Sequence, residues 1–296
     1  MEQGDDLSQR VDGHDRTIAN VSRTVDHRQS PHSPPYLGNR QPTRSAFMPT
    51  VLITGCSSGF GLDTAKLFLG KGWKVVATMR QPRTDILPAS DNLIVLPLDV
   101  TDRESIARAL AKAGEIDVLV NNAGFGAAVP IELIEPETAR QLFETNMLGT
   151  LSMLQAVLPG FRARRGGVVI NVTSTVTLRP LPLVSVYRAS KAAVNALTES
   201  LAIEMEPFGV RVHIVLPGRS PETSFGNNAL PHLRGLDNPD YKPLIEGMIA
   251  RFRDDTGPVT CAGDVAAAVW RAATDTHAPL RIPAGEDAVQ WMAEAG

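Results

Sequence analysis

Tyr187 and Lys191 stand four residues apart in Tyr187-Arg188-Ala189-Ser190-Lys191, at the start of a long Ala-rich run. On a helix that spacing puts both side chains on one face, one turn apart. An ammonium beside a phenol favours the phenolate, so Lys191 is expected to draw the Tyr187 pKa down towards neutrality. A phenol tuned in that way can act as general acid in carbonyl reduction or as base in alcohol oxidation. Alone, Tyr-x-x-x-Lys is a frequent pattern that any amphipathic helix could carry. Its company narrows the reading. Ser174 lies thirteen residues earlier, just past the β-branched run 168–172, and Asn146 sits in a helical run further upstream.

A second constellation lies near the start of the patterned chain. Thr54-Gly55-Cys56-Ser57-Ser58-Gly59-Phe60-Gly61 follows an apolar strand run and leads into helical spacing over 62–69. Such a junction needs glycines for a tight turn, for backbone approach to a pyrophosphate, and for close packing of helix on sheet. The phosphates then sit at the positive helix N-terminus. The strand-to-helix context raises this cluster above a simple turn. Cys56 reads as a small filler of the loop rather than a redox centre.

The second strand run ends at Ala77-Thr78-Met79-Arg80. An NAD site commonly presents a carboxylate about 20 residues beyond the glycines, bonded to the ribose 2′-OH. This stretch has no acid and carries Arg80, whose planar fork suits a 2′-phosphate. The expected cofactor is therefore NADP, with NAD the less favoured choice. Asp99 closes the third strand run, where it could accept from an adenine amino group or serve a turn in Asp99-Val100-Thr101-Asp102.

These residues need a scaffold that alternates strand and helix. Short β-branched runs occur at 50–54, 74–78, 93–98, 117–121, 168–172 and 211–216, separated by Ala- and Leu-rich helical spacing. Several are apolar almost throughout, as strands covered on both faces must be. The expectation is an α/β fold: a doubly wound parallel sheet of Rossmann type in a single domain, 48–296. Ser174 and the turn Asn121-Asn122-Ala123-Gly124 then fall at the carboxyl ends of strands, the usual ligand crevice. After Leu216 comes a long link with Pro, Gly and Asn and a weak helical stretch over 241–253, read as a mobile lid or substrate loop. Residues 1–47 are polar and proline-bearing, with a sparse apolar stripe, and are expected to be a disordered extension. Met48 directly precedes the first strand run, so the reading frame could begin there.

Composition excludes several classes. Of 296 residues 43% are hydrophobic and 21% charged, and the net charge is −3, which leaves no basic field for nucleic acid. The six histidines are scattered or lie in the extension, and Cys56 and Cys261 are far apart, so no metal is expected. No apolar run approaches the ~18 residues of a membrane span, and no secretory signal appears. A cytoplasmic protein with two reduced thiols is the expectation.

In order and spacing, these motifs resemble the short-chain dehydrogenase/reductase family, in its compact single-domain branch, over residues 49 to 290. The resemblance implies that Thr54 through Gly61 form the cofactor glycine motif and that the turn Asn121-Asn122-Ala123-Gly124 steadies the sheet beside the adenosine ribose, with Asn121, Ala123 and Gly124 on the cofactor side. It places Asn146, Ser174, Tyr187 and Lys191 as a catalytic tetrad. Ser174 would bond the substrate carbonyl oxygen, Lys191 the nicotinamide ribose, and Asn146 a water linking Lys191 to solvent. Thr173 is left as strand-end packing. The family's Pro-Gly motif is met by Pro217-Gly218, but its threonine, Thr223, arrives one residue late; either the loop bulges to place it or backbone makes the nicotinamide contact.

The implied activity is hydride transfer between a nicotinamide and the carbonyl or alcohol carbon of a small, apolar substrate. Phe125, Val129, Leu181, Leu183, Val184, Phe225, Leu230 and Leu233 are candidates for its pocket, or else packing residues. A nucleotide-binding regulator without turnover is the alternative, and the intact tetrad counts against it. An epimerase or dehydratase would need more chain after Leu216 for a substrate domain. Apolar residues on more than one face of the runs 139–158 and 189–202 point to a homodimer or homotetramer.

Overall fold

A run such as Thr50-Val51-Leu52-Ile53-Thr54 has no polar alternation and can be stable only with both faces covered. The computed structural model, which describes residues 48–223, 229–253 and 256–295, covers it on both. Strand β1 (Thr50–Thr54) is buried at all five positions. It pairs with β2 (Lys74–Met79) on one side and with β4 (Val118–Asn121) on the other. With β3 (Leu93–Pro97), β5 (Gly167–Val172), β6 (Val210–Pro217) and β7 (Arg281–Ala284) it builds a parallel sheet ordered β3-β2-β1-β4-β5-β6-β7. The chain winds outward from β1 to β3, returns across to β4, and winds outward again. The strand order therefore reverses between β1 and β4, where the carboxyl ends diverge into a crevice. The expected doubly wound sheet is present, and the expected disordered extension lies outside the described residues.

Helices α1 (Gly59–Gly70) and α7 (Ala262–Thr274) cover one face of the sheet. Helices α2 (Arg103–Ala113), α4 (Gly149–Arg164) and α5 (Ser185–Met205) cover the other. The remaining helices are α3 (Pro136–Phe143), α6 (Lys242–Arg253) and α8 (Glu286–Ala295). The run 139–158, read as one helix, is interrupted: a π-turn, Glu144–Leu148, separates α3 from α4. Such turns frequently mark functional positions, and this one carries Asn146. Strand β7 and helices α7 and α8 extend the architecture beyond the last element read from the sequence, at 241–253.

Candidate active site

The glycine loop is shaped by what lies under it. Gly55 and Gly59 adopt φ of +76° and +56°, a region side chains disfavour. Gly61 is required for a different reason. A Cβ there would strike the Gly55 carbonyl and lie 2.5 Å from Asn122 Nδ2. Asn122 donates from that nitrogen to the carbonyls of Thr54 (2.9 Å) and Gly55 (3.2 Å). The backbone N–H groups of Asn122 and Ala123 both donate to Thr54 Oγ1 at 3.0 Å. The β4 turn thus fastens the loop to the sheet. Asn121 gives its amide to Asn171 within the sheet, at 2.8 Å, joining β4 to β5. Within the expected Asn121–Gly124 turn, Asn122 is the residue whose side chain reaches the glycine loop. Cys56 is buried against the Ile53 carbonyl (3.3 Å), and burial pushes its thiol up to about 12, consistent with a filler.

The loop fits a phosphate-bearing ligand. At the start of α1, Ser58 makes no side-chain capping bond and the first turn holds no acid. The helix N-terminal N–H groups are left without a competing carboxylate. Ser57 is exposed beside them, and Arg80 is exposed just past the end of β2. Asp99 serves the turn: its Oδ1 accepts from Thr101 N (2.9 Å) and Thr101 Oγ1 (2.8 Å).

At the other half of the crevice, α5 brings Tyr187 and Lys191 one turn apart, both buried. Lys191 Nζ donates to the Val172 carbonyl at the end of β5, 3.0 Å away, which uses one of its three protons. Ser174 follows that strand and heads a 3-10 turn, Thr175–Thr177. This turn is tied down by α5 itself, through Arg188 Nε to Val176 O (2.8 Å) and Asn195 Nδ2 to Thr177 Oγ1 (3.0 Å). Ser174 is thereby held in hydrogen-bonding contact with Tyr187.

The Asn146 side chain ties the turn after β4 to α5. Its Oδ1 accepts from Phe125 N, and its Nδ2 donates to Phe125 O and Ser190 Oγ, all at 3.0 Å. Ser190 in turn donates to the Tyr187 carbonyl (2.7 Å). Gly124 lies between them: a Cβ there would come 2.8 Å from Asn146 Oδ1 and 3.3 Å from Lys191 Nζ.

The expected electrostatics need correction. The Tyr187 phenol is not drawn towards neutrality; burial pushes it up to about 12, with the Ser174 bond opposing. Burial also lowers Lys191 to about 8. Desolvation of the phenol sets the direction, and burial likewise disfavours the charged form of Lys191. At neutral pH Tyr187 therefore holds its proton and can give it.

Ser174 and Tyr187 open onto a cavity of about 600 Å³. Its apolar wall includes Phe60, Leu181, Val184, Leu233, Met248 and Trp291. Of the residues expected there, Leu181, Val184 and Leu233 line it. Val129 and Leu183 are buried instead, joined by a 2.7 Å bond from Val129 N to Leu183 O, and Phe125 packs on His232. Phe225 and the Leu230 side chain lie outside the described residues.

Pro217 and Gly218 form the cavity edge. Despite the extra residue, the following loop turns back so that Thr223 bonds the Ser220 carbonyl through both N (3.4 Å) and Oγ1 (3.0 Å). Thr223 then lies 3.6 Å from where a Cβ on Gly59 would be, against the glycine loop. The Ser220 hydroxyl is buried with no partner among the described residues, a donor awaiting an acceptor. Among the described residues no cluster of His, Cys, Asp or Glu could hold a metal, and no helix is long and apolar enough to cross a membrane.

Comparison with known proteins follows the same lines. The short chain dehydrogenase family model matches residues 49–231. Human retinol dehydrogenase 8 is 35% identical over 252 residues, covering 78% of this chain and 80% of that protein. A serine dehydrogenase solved with NADP+ superposes with a TM-score of 0.69 at 30% identity, covering 80% of this chain and 95% of the other. The 3-ketoacyl-(acyl-carrier-protein) reductase from Brucella melitensis, solved with NADH, gives 0.67 at 28%, over 79% and 96%.

Proposed function

The chain belongs to the short-chain dehydrogenase/reductase family and is an NAD(P)-dependent oxidoreductase, and from that premise we propose that it uses NADPH to reduce the carbonyl group of an apolar substrate. The observation that carries this reading is the protonated Tyr187 phenol, bonded to Ser174 and facing an apolar cavity.

The cofactor's adenosine half would be held by the glycine loop and the N-terminus of α1, with Arg80 at a 2′-phosphate. Its nicotinamide half would meet Lys191, which has donors to spare, and the unpartnered Ser220 hydroxyl, with Thr223 closing over the glycine loop. When bound, reduced nicotinamide supplies a hydride to the carbonyl carbon. Ser174 orients the carbonyl oxygen, and Tyr187 passes its Oη proton to that oxygen, completing the alcohol. Lys191, charged below about pH 8, stabilises the tyrosinate this leaves. Asn146 holds Phe125 and Ser190, and so the ends of the elements that carry Gly124 and Tyr187.

An apolar substrate agrees with the cavity wall and with the retinol named for the human relative. The apolar residues on more than one face of the runs 139–158 and 189–202 support a homodimer or homotetramer, and the two free thiols support a cytoplasmic setting. The test is a screen of NADPH and NADH oxidation against ketones and aldehydes of graded chain length. Oxidation of NADPH by apolar carbonyls is the expected result; no oxidation of either nucleotide would overturn the reading. Sedimentation at micromolar concentration tests the oligomer, and a monomer alone would sink it.

A further inference from the structure

Asp287 sits in the first turn of α8, far in sequence from every motif above, yet its carboxylate is buried at the cavity edge. One oxygen accepts from the backbone N–H of Arg219 at 2.6 Å. The other meets Thr260 Oγ1 at 2.7 Å. Thr260 Oγ1 in turn accepts from the N–H of Gly218 at 2.9 Å and lies 2.8 Å from the Ala284 carbonyl at the end of β7. Two glycines make room for this cluster. A Cβ on Gly218 would overlap the Asp287 carboxylate, and one on Gly285 would overlap Thr260.

On these grounds we infer that Asp287 is a positioning residue that sets the nicotinamide-side loop, Pro217-Gly218-Arg219, through a clasp shared with Thr260. Each of the two backbone N–H groups that follow β6 is met by one member of the clasp. Past the end of β6 at Pro217, these side-chain bonds add to two backbone ones, Gly218 N to the Ala284 carbonyl at 3.4 Å and Thr260 N to the Arg219 carbonyl at 2.8 Å, in fixing the loop direction. Ser220 comes next, and its buried hydroxyl depends on that direction. The inference rests on the nucleotide reading above, and its test separates the two.

The test uses the full chain with Asp287→Ala and Asp287→Asn, titrated calorimetrically with NADPH and with 2′,5′-ADP, which lacks the nicotinamide. Nicotinamide fluorescence is followed in parallel. Alanine leaves the Arg219 N–H unmet, so NADPH should bind about tenfold more weakly and lose its fluorescence change. Binding of 2′,5′-ADP should be unchanged, at full stoichiometry. Asparagine should restore NADPH binding. Its Oδ1 can accept from Arg219 N–H and its Nδ2 can donate to Thr260 Oγ1, whose proton then goes to Ala284. Equal weakening of both ligands, or none of either, would make Asp287 a plain structural residue and overturn the inference. Failure of the wild type to bind either ligand would instead remove the nucleotide reading itself, and this inference with it.

Discussion

Lys191 Nζ lies 3.0 Å from the carbonyl of Val172, with its alkyl stem buried in α5, and no carboxylate pairs with it among the described residues. A charge held by one carbonyl and little water is poorly solvated, which is why it loses its proton near 8.

This lysine costs the fold stability. Between pH 8 and its ordinary 10.5 the unfolded chain keeps a proton that the native chain has released. Stability from this group therefore rises with pH across that window, and its penalty is full below pH 8. Lys191→Met should stabilise the protein by about 1–3 kcal/mol at pH 7, with the gain gone above pH 10.5. Denaturant midpoints at pH 7 and pH 10.5 check this; a gain of equal size at both would refute the charge argument.

Tyr187→Phe should lower turnover by at least ~10²–10⁴-fold while leaving nucleotide affinity almost intact, because the ring still packs and only the proton donor is lost. Fluorescence titration beside turnover separates the two. A variant keeping a third of wild-type turnover would mean that another group gives the proton.

Because Tyr187 keeps its proton to about 12 while Lys191 loses its own near 8, the basic limb of the pH profile belongs to the lysine. For reduction, kcat/KM for the cofactor reports the free enzyme and should fall with a midpoint near pH 8. In Lys191→Met that limb should vanish from a much lower plateau. Its persistence at the same midpoint would assign it elsewhere.

Arg80→Ala should raise the Michaelis constant for NADPH about tenfold or more and that for NADH little, since one charge-assisted fork to phosphate is lost. Equal effects would show that Arg80 never meets the 2′-phosphate.

Gly61→Ala should be the most damaging single methyl in the glycine loop, as its Cβ would meet the Gly55 carbonyl and Asn122 Nδ2 together. A loss of about 1–3 kcal/mol in stability and a marked loss of nucleotide affinity are expected. Unchanged thermal unfolding would mean the loop can yield there.

Six strands, the glycine junction and the Tyr187–Lys191 face were legible because each is a local pattern: a run, a turn, a spacing of four. Strand β7 was not, since Arg281-Ile282-Pro283-Ala284 is short and holds a proline, tolerable only because it lies at the sheet edge. The π-turn at Asn146 leaves the composition of a helix intact while shifting its register, so the sequence shows one run where the backbone makes three elements. The Tyr187 pKa was misjudged because spacing reveals a neighbouring charge but not how much water reaches either group. The pairing of Asp287 with Arg219 joins residues 68 apart in sequence, and no local pattern announces it.

The sheet order also dictates when the parts can exist. Asn122 Nδ2 fastens a carbonyl 67 residues before it, so a nascent chain cannot close its glycine loop until β4 has emerged. The tetrad is complete at Lys191, yet the loop facing it stays unclasped until Asp287 follows β7 out. Synthesis from N- to C-terminus thus yields a nucleotide cradle first and a finished reaction chamber last, so a truncation that removes Asp287 leaves every motif read from the sequence in place without the residue that clasps Arg219.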